Sequence, residues 1–210
     1  MHKVKSLFIT FEGIEGSGKS YLSKKLYNYF IKKKLPVIFT REPGGSKSAE
    51  KIRNLILKGK KNKFLKTTDT LLYLASRNEH INKTIKPAIK LNKIVVCDRF
   101  TDSTYAYQVY AGKVKKELVD SVHKNILNNI KPNITFILYV NLKKAFKRLN
   151  KRPSKNRYDK LSKKFYNSAQ TAFLKIAKKN KKKYVIIDNS ADSNIAENII
   201  INKCKKLLKI

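Results

Sequence analysis

The sequence predicts a three-layer α/β domain, a five-stranded parallel sheet flanked by helices. Three observations carry that expectation. Five short apolar or β-branched runs recur along the chain, at residues 7–11, 37–40, 94–97, 135–140 and 184–187. Helical patterns far longer than a hairpin connection lie between them, and such alternation implies parallel strands joined by crossover helices. The first run also leads directly into a glycine-rich turn and an amphipathic segment, the strand–turn–helix order of a phosphate-binding loop. With 210 residues and 41% hydrophobic content, the chain can bury the core of one such domain, taken as residues 1–210, and is short for two.

The elements follow in order. After the strand at 7–11, residues 19–33 place Tyr21, Leu22, Leu26, Tyr29 and Phe30 at helical spacing. The strand at 37–40 is followed by helical patterns at 47–57 and 68–91. Pro87 is expected to kink or end the latter, since it has no N–H to donate and its ring crowds the preceding turn. Beyond the strand at 94–97, helices are expected at 115–129, 161–179 and 194–208, with the last two strands between them. Two polar, charge-rich stretches, 58–66 and 150–160, read as loops. There is no internal repeat.

The formal net charge is +35 and the pI near 10.2, values that ordinarily direct attention to nucleic acid. Here the lysines are spread over every expected helix instead of forming a patch, and the chain is also rich in Asn and Ile, whose codons are AT-rich. Solvated lysine faces are the stronger reading and a nucleic-acid surface the weaker. No apolar run approaches the ~20 residues of a membrane span. The apolar start reaches Glu12 too soon for a secretory signal, and a cytoplasmic protein is expected. Cys97 and Cys204 are far apart, and His2, His80 and His123 show no ligand spacing with them, so both thiols read as reduced and structural. Arginine is scarce: of 49 cations only seven are Arg, at 41, 53, 77, 99, 148, 152 and 157. In a chain that uses lysine wherever lysine suffices, each arginine marks a place where a planar fork of donors is needed.

Gly13-Ile14-Glu15-Gly16-Ser17-Gly18-Lys19-Ser20 is a complete G-x-x-x-x-G-K-[ST] motif. Its glycines let backbone N–H groups close on phosphate oxygens, Lys19 brings a point charge to the β- and γ-phosphates, and the Ser20 hydroxyl is available to Mg²⁺. A nucleoside triphosphate, ATP, is the implied ligand. Ligands of open parallel sheets bind beyond the carboxyl ends of strands. Those ends carry Glu12, then Arg41-Glu42-Pro43-Gly44-Gly45, then Asp98-Arg99-Phe100. Asp98 stands where a strand-ending carboxylate orients Mg²⁺ through water, and with Ser20 it forms the expected metal pair.

Together, Glu12 with the phosphate loop, Thr40-Arg41-Glu42-Pro43-Gly44-Gly45, Asp98-Arg99-Phe100 and Ser103-Thr104-Tyr105-Ala106-Tyr107-Gln108 resemble the bacterial thymidylate kinases. The likeness extends to Ala49-Glu50-Lys51-Ile52-Arg53, Ile85-Lys86-Pro87-Ala88 and Asn156-Arg157-Tyr158-Asp159, and so runs nearly end to end. It implies the P-loop kinase fold with a short lid near 147–160, and the reaction ATP + dTMP → ADP + dTDP. Tyr73 matches the aromatic ring that stacks on thymine, and Arg77, one helical turn on, matches the arginine that bonds the base. Ser103 and Gln108 match polar contacts to the base, and Tyr107 matches a tyrosine against the deoxyribose. Arg53 and Arg99 match the clamp on the acceptor phosphate. Glu12 matches the acid near the sugar 3′-hydroxyl and the transferring phosphate.

The resemblance also implies a division by where catalytic charge comes from. One class of these enzymes has an arginine inside the phosphate loop; here those positions are Ile14, Glu15 and Ser17. The arginine must then come from the lid, where Arg148, Arg152 and Arg157 fall; Arg152 is favoured for the transferred phosphoryl group, with Arg148 and Arg157 on ATP. Departures from the family pattern are Tyr73 for a commoner phenylalanine, Asn150 for an arginine, Asn156 for an aspartate, and a shortened glycine stretch after Gln108. Family members are commonly homodimers. Two other readings stay open from the residues alone: another nucleoside monophosphate kinase, and a basic P-loop protein that binds nucleic acid.

Overall fold

The computed structural model describes residues 6–59, 63–151, 161–191 and 194–209. Its strands are β1 (Phe8–Glu12), β2 (Val37–Arg41), β3 (Ile94–Asp98), β4 (Ile134–Tyr139) and β5 (Tyr184–Asp188). All neighbours pair in parallel, in the order β2-β3-β1-β4-β5. The five strands match the five expected runs. Phe11 lies opposite Asp98, and Asp98 opposite Arg41, so the carboxyl ends of β1, β2 and β3 finish level. The crossover from β1 leaves towards β2 and that from β3 towards β4, in opposite directions, which opens a crevice at those ends.

Alternation of side chains sends successive residues of β1 to opposite faces. Ile9 and Phe11 join Leu22, Leu26 and Phe30 of α1 (Lys19–Lys32) and Ile200 and Cys204 of α9 (Ile195–Leu208). Phe8 packs on the other face with Ile81, Ile85 and Phe100. Thr10, also on that face, shares a 2.7 Å hydrogen bond with Thr135 of β4. A third cluster gathers Tyr107 with Tyr166 and Phe173 of α8 (Lys163–Lys178). Cys97 and Cys204 are buried free thiols, and burial pushes the pKa of Cys204 up to about 12.

The helices depart from the sequence expectation in four places. α2 (Lys47–Leu57) is as expected, its N-terminus capped by the Ser46 hydroxyl on Ala49 N–H. α3 (Lys66–His80) runs through a wide turn, Ile81–Ile85, into α4 (Lys86–Lys90). Pro87 therefore does not end the helical run. The wide turn precedes it, with Lys86 N–H bonded five residues back to Ile81, and this displaces the carbonyl that a proline ring would strike in a regular α-helix. Residues 101–111 are also helical, as α5 (Thr101–Thr104) and a second wide turn, Tyr105–Ala111. The poor helix formers of that stretch hid it, and it owes its start to the Glu12 carboxylate, which accepts from Phe100 N–H and Ser103 N–H. α6 (Lys116–Ile126) ends earlier than expected because Asn128 and Asn129 take left-handed backbone angles. α7 (Leu142–Asn150), capped by Asn141, lies where no helix was expected, although Leu142, Ala145, Phe146 and Leu149 fall at helical spacing and pack on the core. Among the described residues no helix is long and apolar enough to cross a membrane.

Candidate active site

The loop between β1 and α1 is shaped by its glycines. Gly13 has φ +137°, and a Cβ there would sit 2.5 Å from the Leu138 carbonyl; Gly16 lies against the backbone of Ala145 in α7. A side chain at either position would push the loop off its neighbours. Arg148 clamps the loop from outside, donating to the Gly16 carbonyl (3.0 Å) and the Asn189 carbonyl (3.1 Å). Asn189 in turn donates to the Ser17 carbonyl (2.8 Å). Inside, Lys19 is buried with its ammonium 3.3 Å from the Ile14 carbonyl. The N–H groups opening α1 point into the same hollow, and the helix dipole adds positive potential there.

Ser20, the last loop residue, donates to Asp98 Oδ2 at 2.5 Å. The other oxygen, Asp98 Oδ1, is buried without a hydrogen-bond partner among the described residues. A buried carboxylate oxygen left unsatisfied beside a hydroxyl is costly unless a cation or water completes it. Two hard oxygen donors suit Mg²⁺, which keeps most of its shell as water and phosphate oxygens. Consistent with that mode, no group of three or more His, Cys, Asp or Glu among the described residues forms an all-protein cage.

A cleft of about 280 Å³ opens at the carboxyl ends of β1, β2 and β3. Its wall brings together Lys19, Ser20, Arg53, Tyr73, Arg77, Asp98, Arg99, Ser103, Tyr107 and Gln108, residues drawn from four separate stretches of sequence. Arg99 has a left-handed backbone, φ +73°, held by its N–H on the Phe11 carbonyl (2.9 Å). For a residue with a Cβ that conformation costs on the order of 1–2 kcal/mol, a strain typical of functional sites. Its guanidinium donates to the Gly13 carbonyl (3.0 Å), Ser103 Oγ (2.9 Å) and Glu15 Oε1 (2.9 Å), and lies 5.1 Å from the Tyr107 ring. Arg53 reaches over from α2 to the Pro43 carbonyl (2.5 Å).

Two of the expected residues sit differently from their expected roles. Glu12 is fully buried and does not line the cleft. Its carboxyl accepts from Phe100 N–H, Ser103 N–H and Ser103 Oγ, so it fixes the turn that carries Arg99. Burial and then the Asp102 charge push its pKa up to about 8. Glu15 does line the cleft, as do Glu42 and Asp98, and it accepts from Arg99 and from Tyr107 Oη (2.5 Å). Burial raises the pKa of Glu15, but Arg99 and Lys19 outweigh it and hold the carboxyl below its usual value. Arg77 lines the cleft with every donor engaged. Nε and Nη2 bond Glu42 (2.8 and 2.6 Å), Nη2 also bonds the Phe100 carbonyl (2.9 Å), and Nη1 bonds Thr104 Oγ1 (2.8 Å) and His123 Nε2 (2.7 Å). Of these partners, Glu42 belongs to the Arg-Glu-Pro-Gly-Gly motif, whereas His123 carries no sequence motif. Arg152 and Arg157 lie outside the described residues.

The thymidylate kinase family profile matches residues 11–200. The chain belongs to the thymidylate kinase family. It is 40% identical over 206 residues to the thymidylate kinase of Mycoplasma capricolum subsp. capricolum, covering 95% of this chain and 97% of that one. It is 42% identical over 202 residues to the thymidylate kinase of Wolbachia pipientis wMel, covering 94% and 99%. A crystal structure of thymidylate kinase from Ehrlichia chaffeensis superposes with a TM-score of 0.75 at 33% identity, covering 98% of this chain and 99% of that chain. The all-parallel sheet with its flanking helices is accordingly the P-loop kinase fold of thymidylate kinases. The family's phosphate loop, Asp98 and the two arginines Arg53 and Arg99 thus border one cleft, the geometry of a phosphotransferase.

Proposed function

We infer that this thymidylate kinase family member transfers the γ-phosphoryl group of ATP to the phosphate of dTMP, yielding ADP and dTDP on the way to dTTP. The observation that carries the reading is that Lys19, Arg53, Arg99, Tyr73 and Gln108 line one and the same cleft. Two polyanions have to be brought together there, and the acceptor oxygen is already anionic, so positioning and neutralisation of charge matter more than a general base. Lys19 and the α1 N-terminus hold the donor phosphates. Arg53 and Arg99 clamp the acceptor phosphate. Tyr73 stacks on the pyrimidine, Arg77, Ser103 and Gln108 address its polar edge, and Tyr107 packs against the deoxyribose.

Glu15, a cleft-wall carboxylate engaged neither with Arg77, as Glu42 is, nor with Ser20, as Asp98 is, takes the sugar 3′-hydroxyl, the role first expected of Glu12, while Glu12 anchors Phe100 and Ser103 from behind. Ser20 and Asp98 would hold Mg²⁺, which when bound neutralises phosphate charge and orients the chain of phosphates. Arg148 and Arg157 serve ATP, and Arg152 in the lid serves the transferred phosphoryl group, a contact worth ~10³ to 10⁵ in rate. The whole of 1–210 acts as one catalytic domain. It works in the cytoplasm as a homodimer, a state supported by Leu55 of α2 and Leu71 of α3, large apolar side chains left exposed on two helices that pack together.

The test is a coupled assay with ATP against dTMP, dUMP, UMP, CMP, AMP and GMP. Preference for dTMP is expected. Equal or better use of any ribonucleotide would overturn the assignment.

A further inference from the structure

Behind Arg77 a chain of hydrogen bonds leads out of the cleft to the surface, and its direction is fixed at both ends. A guanidinium can only donate, so His123 Nε2, 2.7 Å from Arg77 Nη1, must present a lone pair. The imidazole proton then sits on Nδ1, which lies 3.3 Å from Tyr105 Oη. Tyr105 Oη donates to Asp120 Oδ1 (2.8 Å), leaving its oxygen to accept from His123. Asp120, half exposed on α6, is closed off by an ion pair with Lys116. Every bond therefore points one way, from the buried cation to the surface carboxylate. The charged and titratable groups around the imidazole are Arg77, Glu42, Tyr105 and Asp120; burial first, then the Arg77 charge, push its pKa down to about 3, so it stays neutral.

Arg77 is gripped on two edges. Glu42 takes Nε and Nη2 from one side, which fixes the plane of the guanidinium but leaves the Nη1 corner to other partners. Thr104, on the cleft wall, and His123, which does not line the cleft, share that corner. A base carbonyl would take the Nη1–H that Thr104 accepts, the threonine side chain turning aside, whereas the other Nη1–H stays on the imidazole, which Tyr105 holds from behind.

We propose that His123 is a positioning residue for base recognition: a neutral imidazole locked in its Nδ1–H tautomer that holds the Nη1 corner of Arg77 at the angle from which a pyrimidine carbonyl is read. The inference rests on the reading above in which Arg77 addresses the base, and its test separates the two. His123→Leu removes the acceptor; His123→Gln returns an acceptor oxygen near the position of Nε2.

With the full chain, KM for dTMP should rise tenfold or more in His123→Leu, with kcat and KM for ATP within twofold of wild type. His123→Gln should restore KM for dTMP to within threefold. Nitrogen-15 NMR of the wild-type protein at pH 7 should show the Nδ1–H tautomer at His123, a reading that stands even where the leucine variant does not fold. An unchanged KM for dTMP in a folded His123→Leu, a parallel loss in kcat and both KM values, or a proton on Nε2 would each overturn the proposal. Arg77→Lys is the control: if it leaves KM for dTMP unchanged, the base-reading role of Arg77 fails, whereas a large rise there with none in His123→Leu removes only the role given to His123.

Discussion

Replacing Glu42 by glutamine removes one charge from a buried pair and little else. Glu42 and Arg77 side chains are 4% and 3% exposed, joined through bonds of 2.6 and 2.8 Å to one carboxylate oxygen. The other oxygen accepts from His80 Nδ1 at 3.0 Å, while His80 Nε2 meets the Thr40 hydroxyl at 2.6 Å. A glutamine can keep its oxygen on Arg77 and turn its amide towards His80, whose ring adapts by moving its proton to Nε2 and donating to Thr40. The shape and most hydrogen bonds survive; the uncompensated guanidinium does not. Leaving one member of a buried ion pair without its partner costs about 3 kcal/mol or more, or roughly 6–12 °C in Tm for a chain of this length. Urea unfolding at pH 7 measures it directly. Burial raises the pKa of Glu42, but Arg77 and His80 outweigh it and hold the carboxyl below 4.5. Because folding lowers this pKa, the contribution is complete above 4.5 and is lost as pH falls through the depressed folded value. The gap between wild type and Glu42→Gln should therefore narrow on acidification. A loss under ~1 kcal/mol at pH 7, or a gap that widens in acid, would refute this account of how Arg77 is held.

Other variants probe the phosphate end. Gly13→Ala forces a Cβ to within 2.5 Å of the Leu138 carbonyl at φ +137°, so ATP affinity, read by displacement of a fluorescent nucleotide, should fall at least tenfold (roughly 1.4 kcal/mol). Asp98→Asn keeps an acceptor for Ser20 but removes the charge beside the unsatisfied oxygen, so the Mg²⁺ concentration giving half-maximal rate should rise about tenfold with KM for dTMP little changed. Arg99→Lys keeps the charge but cannot span Gly13, Ser103 and Glu15 together, and kcat/KM for dTMP should drop by ~10² or more in the coupled assay.

The sheet was legible because each strand is a compact apolar run between polar stretches, and the phosphate loop because its chemistry demands glycines and a lysine at fixed spacing. Helical periodicity marks α7 through Leu142, Ala145, Phe146 and Leu149, a short pattern set among cations, whereas α5 begins on a carboxylate contributed by β1, a contact no local pattern encodes. The same limit explains the roles of Glu12 and Glu15. Both acids flank the loop's first glycines, and only the pleat of β1 decides that the first is buried behind the cleft while the second lines it. The family resemblance put Arg77 on the site, one helical turn from Tyr73, yet its partners Glu42, Thr104 and His123 come from three distant segments. Asn189, which braces the phosphate loop 172 residues away in sequence, left no signal at all.

The proposed function places a triphosphate tail and the phosphate of a thymine nucleotide in one cleft. A crystal structure with dTMP and a non-hydrolysable ATP analogue is the decisive measurement. The γ-phosphate is expected beside Lys19, the dTMP phosphate between Arg53 and Arg99, and the thymine ring against Tyr73 within reach of Arg77. A thymine ring bound away from Tyr73 and Arg77, or an acceptor phosphate away from both Arg53 and Arg99, would contradict it.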